Sequence, residues 1–446
     1  MVRVTDMTHG RPIRLILLFS LPLMLGSVFQ QLYTIVDTII IGRGVGMQAL
    51  ASIGAADWIN WLVLWGLQGF TILAAQEFGA GAYDRLRRVL AMIVKLSCWF
   101  GIAVTIISLL LVRPLLTLLH TDPAVFGGAQ TYLYVQFGGS LIIIAYNMAA
   151  AVLRCLGDSR TPLLAILAAS FANIALDLLF VMGFGWGIFG ASFATVLAQL
   201  IAFLLCLRSL RRLPFVQLAK ADWKTDPAIL LHLCRLGIPT GLQMSMITLG
   251  GMVLQSVLNG FGVVFVAGYT AANKLYGILE SASVAFGYAM TAYMGQNRGA
   301  RNAARIDAGI RAVLALSAGF TAAIVTAMLL AGKPLLGLFL STEEAGAADA
   351  LAVAYQYLMA LMAFLFALFV LQAYRSSLQG LGEMTVPTLS GFAEMLMRMG
   401  AALVLPTFIG QSGVFFAEGA AWVCAAALNL VWYYIRVGKI KREMMQ

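Results

Sequence analysis

The chain has 446 residues, of which 61% are hydrophobic and only 11% charged, with a formal charge of +10 and a mean hydropathy of +0.90. A soluble domain carries about 25% charged residues, so no soluble fold of this length hides so much apolar surface. The length instead accommodates about a dozen membrane spans of roughly 20 residues each, with little left over for a separate soluble domain.

Five cysteines (Cys98, Cys155, Cys206, Cys234, Cys424) are scattered without C-x-x-C spacing, which indicates neither a disulfide framework nor a zinc site. Spans are expected at about 15–41, 51–78, 89–112, 129–153, 163–183, 187–207, 230–258, 267–296, 309–331, 351–375, 386–409 and 413–435, from apolar runs bounded by charge and turn signals. The first run is too long for the apolar core of a signal peptide and no small-residue cleavage site follows it, so it reads as a retained membrane helix. His9, His120 and His232 lie at or beyond span ends, which leaves proton chemistry to carboxylates.

An even number of spans puts both termini on one side. Of the 29 Lys and Arg, 23 lie in or within a few residues of the termini and the 2-3, 4-5, 6-7, 8-9 and 10-11 connections, whereas the opposite loops hold only Arg43, Arg113 and Lys333. Positive loops stay in the cytoplasm, so both termini and the linker carrying Arg208, Arg211, Arg212, Lys220 and Lys224 are expected there, in a multi-pass protein of the cell (inner) membrane. The charge is thus topological, and no nucleic-acid partner is implied.

The chain repeats itself. Arg113-Pro-Leu-Leu-Thr-Leu-Leu matches Lys333-Pro-Leu-Leu-Gly-Leu-Phe, Gln76-Glu-Phe-Gly-Ala matches Gln296-Asn-Arg-Gly-Ala, and Leu153-Arg-Cys-Leu-Gly-Asp matches Leu378-Gln-Gly-Leu-Gly-Glu, at offsets close to 220 residues. Six spans per copy make the copies parallel. The expected architecture is an all-α polytopic membrane protein of 12 transmembrane helices in two parallel six-helix repeats, residues 1–225 and 226–446, with a central interlobe cavity.

Several motifs resemble those of the multidrug and toxic compound extrusion (MATE) family of prokaryotic type. They are Pro22 followed by Gln30-Gln-Leu-Tyr-Thr-Ile-Val-Asp37, Gln76-Glu-Phe-Gly-Ala-Gly, Gly157-Asp-Ser-Arg-Thr-Pro162, Asn173-Ile-Ala-Leu-Asp177, Gly187-Ile-Phe-Gly-Ala-Ser and Gln296-Asn-Arg-Gly-Ala. The resemblance spans essentially the whole chain. It implies cation-coupled export of amphipathic, often cationic small molecules by alternating access of two lobes, from a monomer that needs no cofactor beyond its coupling ion.

An ionisable residue at membrane depth is costly and marks a functional site by default. Asp37 lies about four residues from the outer end of span 1, Asp177 about six from the outer end of span 5 and Thr195 about eight into span 6. At 1.5 Å per residue these depths agree to within about a turn. Asn173 shares the helix face of Asp177, and Asn147 on span 4 offers a further amide. Two carboxylates with amide and hydroxyl oxygens suit Na+, and two carboxylates close together in a poorly polar medium also hold a proton; an interhelical hydrogen-bond network is the structural alternative. The resemblance implies the same set, since Asp37, Asn173, Asp177 and Thr195 each match a residue of that type in the family's amino-lobe cation site.

In the second repeat Glu280 sits mid-span, aligned with Asn60, as a candidate for cargo attraction or titration, with Lys274 or Arg398 as alternative ion-pair partners. Glu394 and Arg398, four apart on span 11, are expected to pair with each other. Trp61 and Gln30 are candidates for the cavity lining, though Trp58, Trp61 and Trp65 also suit packing. Pro22 breaks a helical hydrogen bond and bends span 1, either as a static kink or as a device coupled to Asp37.

A flippase for a lipid-linked saccharide is the competing transporter reading. Its cavity would be rich in cations, yet Lys274, Arg398 and Lys95 are the only buried ones expected. No H-E-x-x-H, G-x-S-x-G or P-loop is present to support an enzyme, and paired repeats favour rocking over an open channel.

Overall fold

The computed structural model describes residues 4–64, 68–118, 121–339 and 346–445; the side chains of Met47, Asp57, Trp58, Trp61, Leu62, Val63, Leu64 and Gln68 lie outside the description. The elements in chain order are α1 (Pro12–Gly44), α2 (Met47–Leu64), a 3-10 turn (Gln68–Thr71), α3 (Ile72–Gly79), α4 (Tyr83–Leu118), α5 (Pro123–Gly138), α6 (Ser140–Cys155) and α7 (Arg160–Asp177), which runs on into a π-helical turn (Leu178–Gly183). There follow α8 (Gly187–Leu210), α9 (Pro227–Asn259), α10 (Val263–Gly299), α11 (Ala303–Gly337), α12 (Ala347–Gly380), α13 (Thr385–Ile409), a 3-10 segment (Gln411–Phe416) and α14 (Ala417–Met445). No strand occurs among the described residues.

The helices start where the chain supplies their caps. Asp122 accepts from Ala124 N at 2.8 Å ahead of Pro123, and Asp226 accepts from Ala228 N at 3.0 Å ahead of Pro227; a side-chain oxygen satisfies a free amide while proline fills the first helical position. The Gly157-Asp-Ser-Arg-Thr-Pro motif is another such start. Asp158 Oδ1 accepts from Arg160 N and Thr161 N, both at 3.0 Å. Gly157 turns with φ +87°, and a Cβ there would stand 2.1 Å from the Thr5 carbonyl oxygen, so only glycine fits.

The twelve expected spans correspond to α1, α2 with α3, α4, α5 with α6, and α7 to α14 in turn. Nine of these described helices are long and apolar enough to cross a membrane, and a tenth is gained if α5 and α6 count as one span. Of the two others, the described part of α2 ends at Leu64 after 18 residues, and α10 is interrupted by Lys274 and Glu280. Many large apolar side chains stay bare on the helix faces, among them Leu110 at 73% and Leu330 at 80% exposure, as a bilayer solvent permits.

Span 4 departs from the straight helix expected. It bends by 52° between α5 and α6, at Gly138-Gly139. A Cβ on Gly139 would lie 2.5 Å from Val196 Cγ2 of α8, so the missing side chain lets α8 press into the break. Hydropathy does not register this, because glycine interrupts neither charge nor apolarity.

The chain forms two compact units, residues 1–6 with 22–241 and residues 7–21 with 242–446. Relative to the expected parts 1–225 and 226–446, residues 7–21 and 226–241 are exchanged. α1 passes from one unit to the other at Pro22, and α9 does so just beyond Pro239.

In the first unit an alanine-rich seam (Ala149, Ala150, Ala165, Ala169, Ala198, Ala202) lets α6, α7 and α8 approach closely. A second cluster of Ile40, Ile41, Ala49, Val181 and Ala191 ties the end of α1 to the π-helical turn. In the second unit α10 and α12 form the spine, with Tyr269 stacked on Tyr357 at 4.6 Å and Tyr276 on Trp422 at 5.6 Å. The segment Gln411–Phe416 folds back along α13: a Cβ on Gly413 would meet the Leu405 carbonyl carbon at 2.6 Å, and Phe415 stacks on Phe265 at 5.3 Å.

Candidate functional site

A polar layer lies within the first unit, where α1, α7 and α8 meet. Asp177 ends the regular part of α7, and the helix widens into its π-turn at the next residue. Such widening breaks the local hydrogen-bond register and recurs at functional sites. A Cβ on Gly44 would lie 2.9 Å from Val181 Cγ1 of that turn, so the end of α1 packs tightly against it.

Asp177 is 0% exposed and Asn173, one turn earlier on the same face, 1%. The Asp37 carboxyl, half-buried on α1, lies within hydrogen-bonding reach of the Asp177 carboxyl. Among the described residues no donor reaches Asp37 Oδ1 or either oxygen of Asp177, and both amide atoms of Asn173 and the Gln199 Oε1 also have no partner. Unpaired buried polar groups are expensive, and unpaired charges more so. The cluster therefore gathers several buried acceptor atoms without a donor.

A cavity of about 10 Å³, measured by where a water centre fits, lies beside these groups and has room for roughly one water-sized body. Tyr33, Ser170, Asn173, Thr195 and Gln199 contribute its polar lining. Thr195 Oγ1 donates to the Ala191 carbonyl at 3.2 Å, which leaves its lone pairs for an incoming cation or donor. Of the expected residues, Asn173 and Thr195 share this cavity, while Asp37 and Asp177 face one another and are not among its lining residues.

Asn147 is not among the cavity-lining residues; it is half-buried and donates to its own helix at the Ile143 carbonyl, 2.9 Å away. Gln30 is exposed on α1 one turn before Thr34, whose hydroxyl donates to the Gln30 carbonyl at 2.9 Å. Pro22 is half-buried, at the point where α1 changes units. The Trp61 side chain lies outside the described residues.

Sequence reasoning missed Tyr33, Ser170 and Gln199. Helical spacing would have found them: Tyr33 is four residues before Asp37, Ser170 three before Asn173, and Gln199 four after Thr195.

The second unit holds a chain of ion pairs. Arg375 donates to Glu394, Arg398 Nη2 reaches Glu394 Oε1 at 3.1 Å and Glu418 Oε2 at 2.8 Å, and Arg398 Nη1 donates to the Ile247 carbonyl at 3.0 Å. The expected Glu394–Arg398 pair is present. The expected set of buried cations needs correction, because Lys274 is exposed, Lys95 bonds the Trp223 carbonyl at the surface, and Arg375 is buried. Arg375, at the end of the expected span, is buried on α12, which continues to Gly380, and pairs with Glu394 of α13.

Glu280 is half-buried and makes no ion pair among the described residues. The Tyr276 hydroxyl lies within hydrogen-bonding reach, and Glu418, Arg398 and Glu394 are its charged neighbours. The alternative pairing with Lys274 or Arg398 is not formed. Glu418, absent from the sequence-based candidates, reaches this depth because the fold-back of 411–416 starts α14 inside the unit.

The MatE family pattern matches residues 22–179 and 239–404. The chain is 33% identical to "Probable multidrug resistance protein YpnP" of Bacillus subtilis (strain 168), covering 99% of this chain and 98% of that one. It is 25% identical to "Probable multidrug resistance protein NorM" of Thermotoga maritima, over 93% of this chain and 90% of the relative. A solved crystal structure of MATE in complex with MaL6 superposes with a TM-score of 0.90 at 23% identity, over 99% of this chain and 100% of the other, a likeness that concerns the fold.

Proposed function

The chain belongs to the MatE family, and from that premise we propose that it is a secondary active antiporter that exports amphipathic, cationic drugs or toxic compounds in exchange for H+ or Na+. The names of its relatives support multidrug efflux. The observation that carries the ion-coupled part is the pair of facing carboxyls, Asp37 and Asp177, whose buried oxygens meet no donor.

A shared proton turns two repelling acceptors into one charge-assisted hydrogen bond. Na+ would be held by the same carboxylates with the Asn173 and Thr195 oxygens, a hard-oxygen set suited to a hard cation. Either ion removes the repulsion that otherwise drives α1 and α7 apart, so occupancy favours a different arrangement of α1 from the empty site. Pro22 lies on the same helix and supplies the place where α1 bends. The second unit's buried arginines, Arg375 and Arg398, are both committed to glutamates, which speaks against a site for lipid-linked phosphates.

The test is efflux of a fluorescent cationic drug from proteoliposomes under a proton gradient and a sodium gradient imposed separately. Export driven by one gradient and lost in Asp37→Asn supports the reading. Export that proceeds equally with neither gradient overturns it.

A further inference from the structure

The 220-residue repeat aligns Gln76, Glu77 and Arg85 of the first unit with Gln296, Asn297 and Arg305 of the second. In the second unit these three side chains grip backbone. Met7 N donates to Gln296 Oε1 at 2.8 Å, the Met7 carbonyl accepts from Asn297 Nδ2 at 3.1 Å and Arg305 Nη2 at 2.9 Å, and the Gly10 carbonyl accepts from Arg305 Nη1 at 2.8 Å. Arg305 Nε donates to Asn297 Oδ1 at 2.9 Å, and Met7 is fully buried. The chain itself occupies that seat.

The first unit keeps the clamp. Arg85 Nε meets Glu77 Oε1 at 3.0 Å, in the place of the Arg305–Asn297 contact. Beside it is a cavity of about 370 Å³, with Arg85, Arg88 and His232 as its basic lining, Asp226 at one end, and Leu73 and Ile229 as apolar wall. The volume suits a small-molecule group.

Charge identifies the occupant. Glu77 is held by Arg85, and Asp226 accepts from Ala228 N and Ile229 N at 3.0 and 3.2 Å. Arg87 turns away to Asp84 and Asp222. Arg88 has Glu77 as a charged neighbour but makes no close ion pair among the described residues, and its repeat counterpart is Ala308, so this cation is an addition at that repeat position. Arg85 is 57% exposed at its side chain, with its outer nitrogens beyond the Glu77 contact. These residues sit in the first two turns of α4 and α9, at the end of the spans that the charge distribution places at the cytoplasmic headgroup level.

We propose that this pocket binds the phosphate headgroup of an anionic phospholipid of the cytoplasmic leaflet. Arg88 and the outer nitrogens of Arg85 take the phosphate, and Leu73 and Ile229 form the apolar wall against the headgroup's glycerol end. Basic pockets between helices on this side of a membrane bind such headgroups, and guanidinium groups match phosphate geometry.

The experiment follows the thermal unfolding of the purified full chain in detergent as short-chain phosphatidylglycerol, short-chain phosphatidylcholine or inorganic phosphate is added at matched concentrations. Phosphatidylglycerol is expected to raise the midpoint and the other two to leave it in place. Arg88→Gln should weaken the phosphatidylglycerol response roughly fivefold, the worth of one basic residue at an anionic surface. Arg88→Lys should keep most of it, and Arg211→Gln, on the linker, all of it. An equal response to phosphatidylcholine, an equal response to inorganic phosphate alone, or an unaltered response in Arg88→Gln each overturns the proposal. Should Arg88→Gln start from a lower midpoint without lipid, Arg88→Lys and Arg211→Gln decide: a response kept in both supports the proposal, and loss in either means that charge at residue 88 is not what the lipid reads.

Discussion

Asp37 and Asp177 present their carboxyl groups to one another from α1 and α7, and no donor among the described residues reaches Oδ1 of the first or either oxygen of the second. Asp37→Asn and Asp177→Asn each introduce an amide donor into this pair while keeping shape. Each variant is expected to insert and fold, with a thermal midpoint no lower than that of the unmutated chain, and to lose gradient-driven export to the level of empty liposomes. Full export by both variants would reduce the pair to interhelical glue.

The same site sets an expectation for binding. If cargo and ion compete for arrangements of the protein, each weakens the other by the same factor, and a typical linkage of about 1–3 kcal/mol corresponds to roughly 5- to 150-fold in affinity. Equilibrium binding of a fluorescent cationic drug across pH and sodium concentration should show that dependence, and Asp37→Asn should abolish it. Glu280→Gln should instead weaken cationic cargo more than neutral cargo. Affinity that is indifferent to both ions, in protein that still exports the drug, excludes the coupling.

Arg398 bonds two glutamates and the Ile247 carbonyl while 5% exposed. Removing one partner of a buried ion pair leaves the other uncompensated, at a cost of about 3–5 kcal/mol. Arg398→Met should therefore lower stability strongly in a denaturation assay. Arg398→Met combined with Glu418→Gln should recover part of the loss, and a double variant no more stable than the single one means that Glu418 is not the stranded charge.

Gly139→Ala places a methyl 2.5 Å from Val196 Cγ2, and the crowded contact should destabilise by about 1–3 kcal/mol. Gly139→Ala with Val196→Ala should regain most of the midpoint, because the space is made on the other side. Without that rescue, the bend of span 4 does not depend on this contact.

Lys220, on the linker between α8 and α9, is exposed. A cysteine substituted there, Lys220→Cys, should resist an impermeant maleimide in intact cells and react once the membrane is opened. Labelling of intact cells reverses the topology.

How much of this could be read from the chain depended on whether local spacing or tertiary packing was in control. Asp37, Asn173, Asp177 and Thr195 were legible because rise per residue fixes depth and a four-residue spacing fixes a face. Tyr33 and Gln199 obey the same spacing, four residues from Asp37 and Thr195 respectively, and could have been found by it. Glu418 was out of reach: its depth comes from the fold-back of residues 411–416, which hydropathy counts as an ordinary span start. The bend at Gly139 and the burial of Arg375 likewise involve neighbours, Val196 in one case and Glu394 of α13 in the other.

The seat of Met7 also dictates an order of assembly. Its partner Gln296 is 289 residues further along the chain, so Met7 cannot take its seat until α10 has been synthesised, and Arg305 follows later still; Thr5, whose N donates to the Gly157 carbonyl at 3.2 Å, has its partner much earlier. At about 5–20 residues per second the distance to Gln296 leaves Met7 waiting for roughly 15–60 s of translation. The start of α1 is thus fastened to the second unit late, so Met7, near the beginning of this chain, is among the final residues to reach its native place.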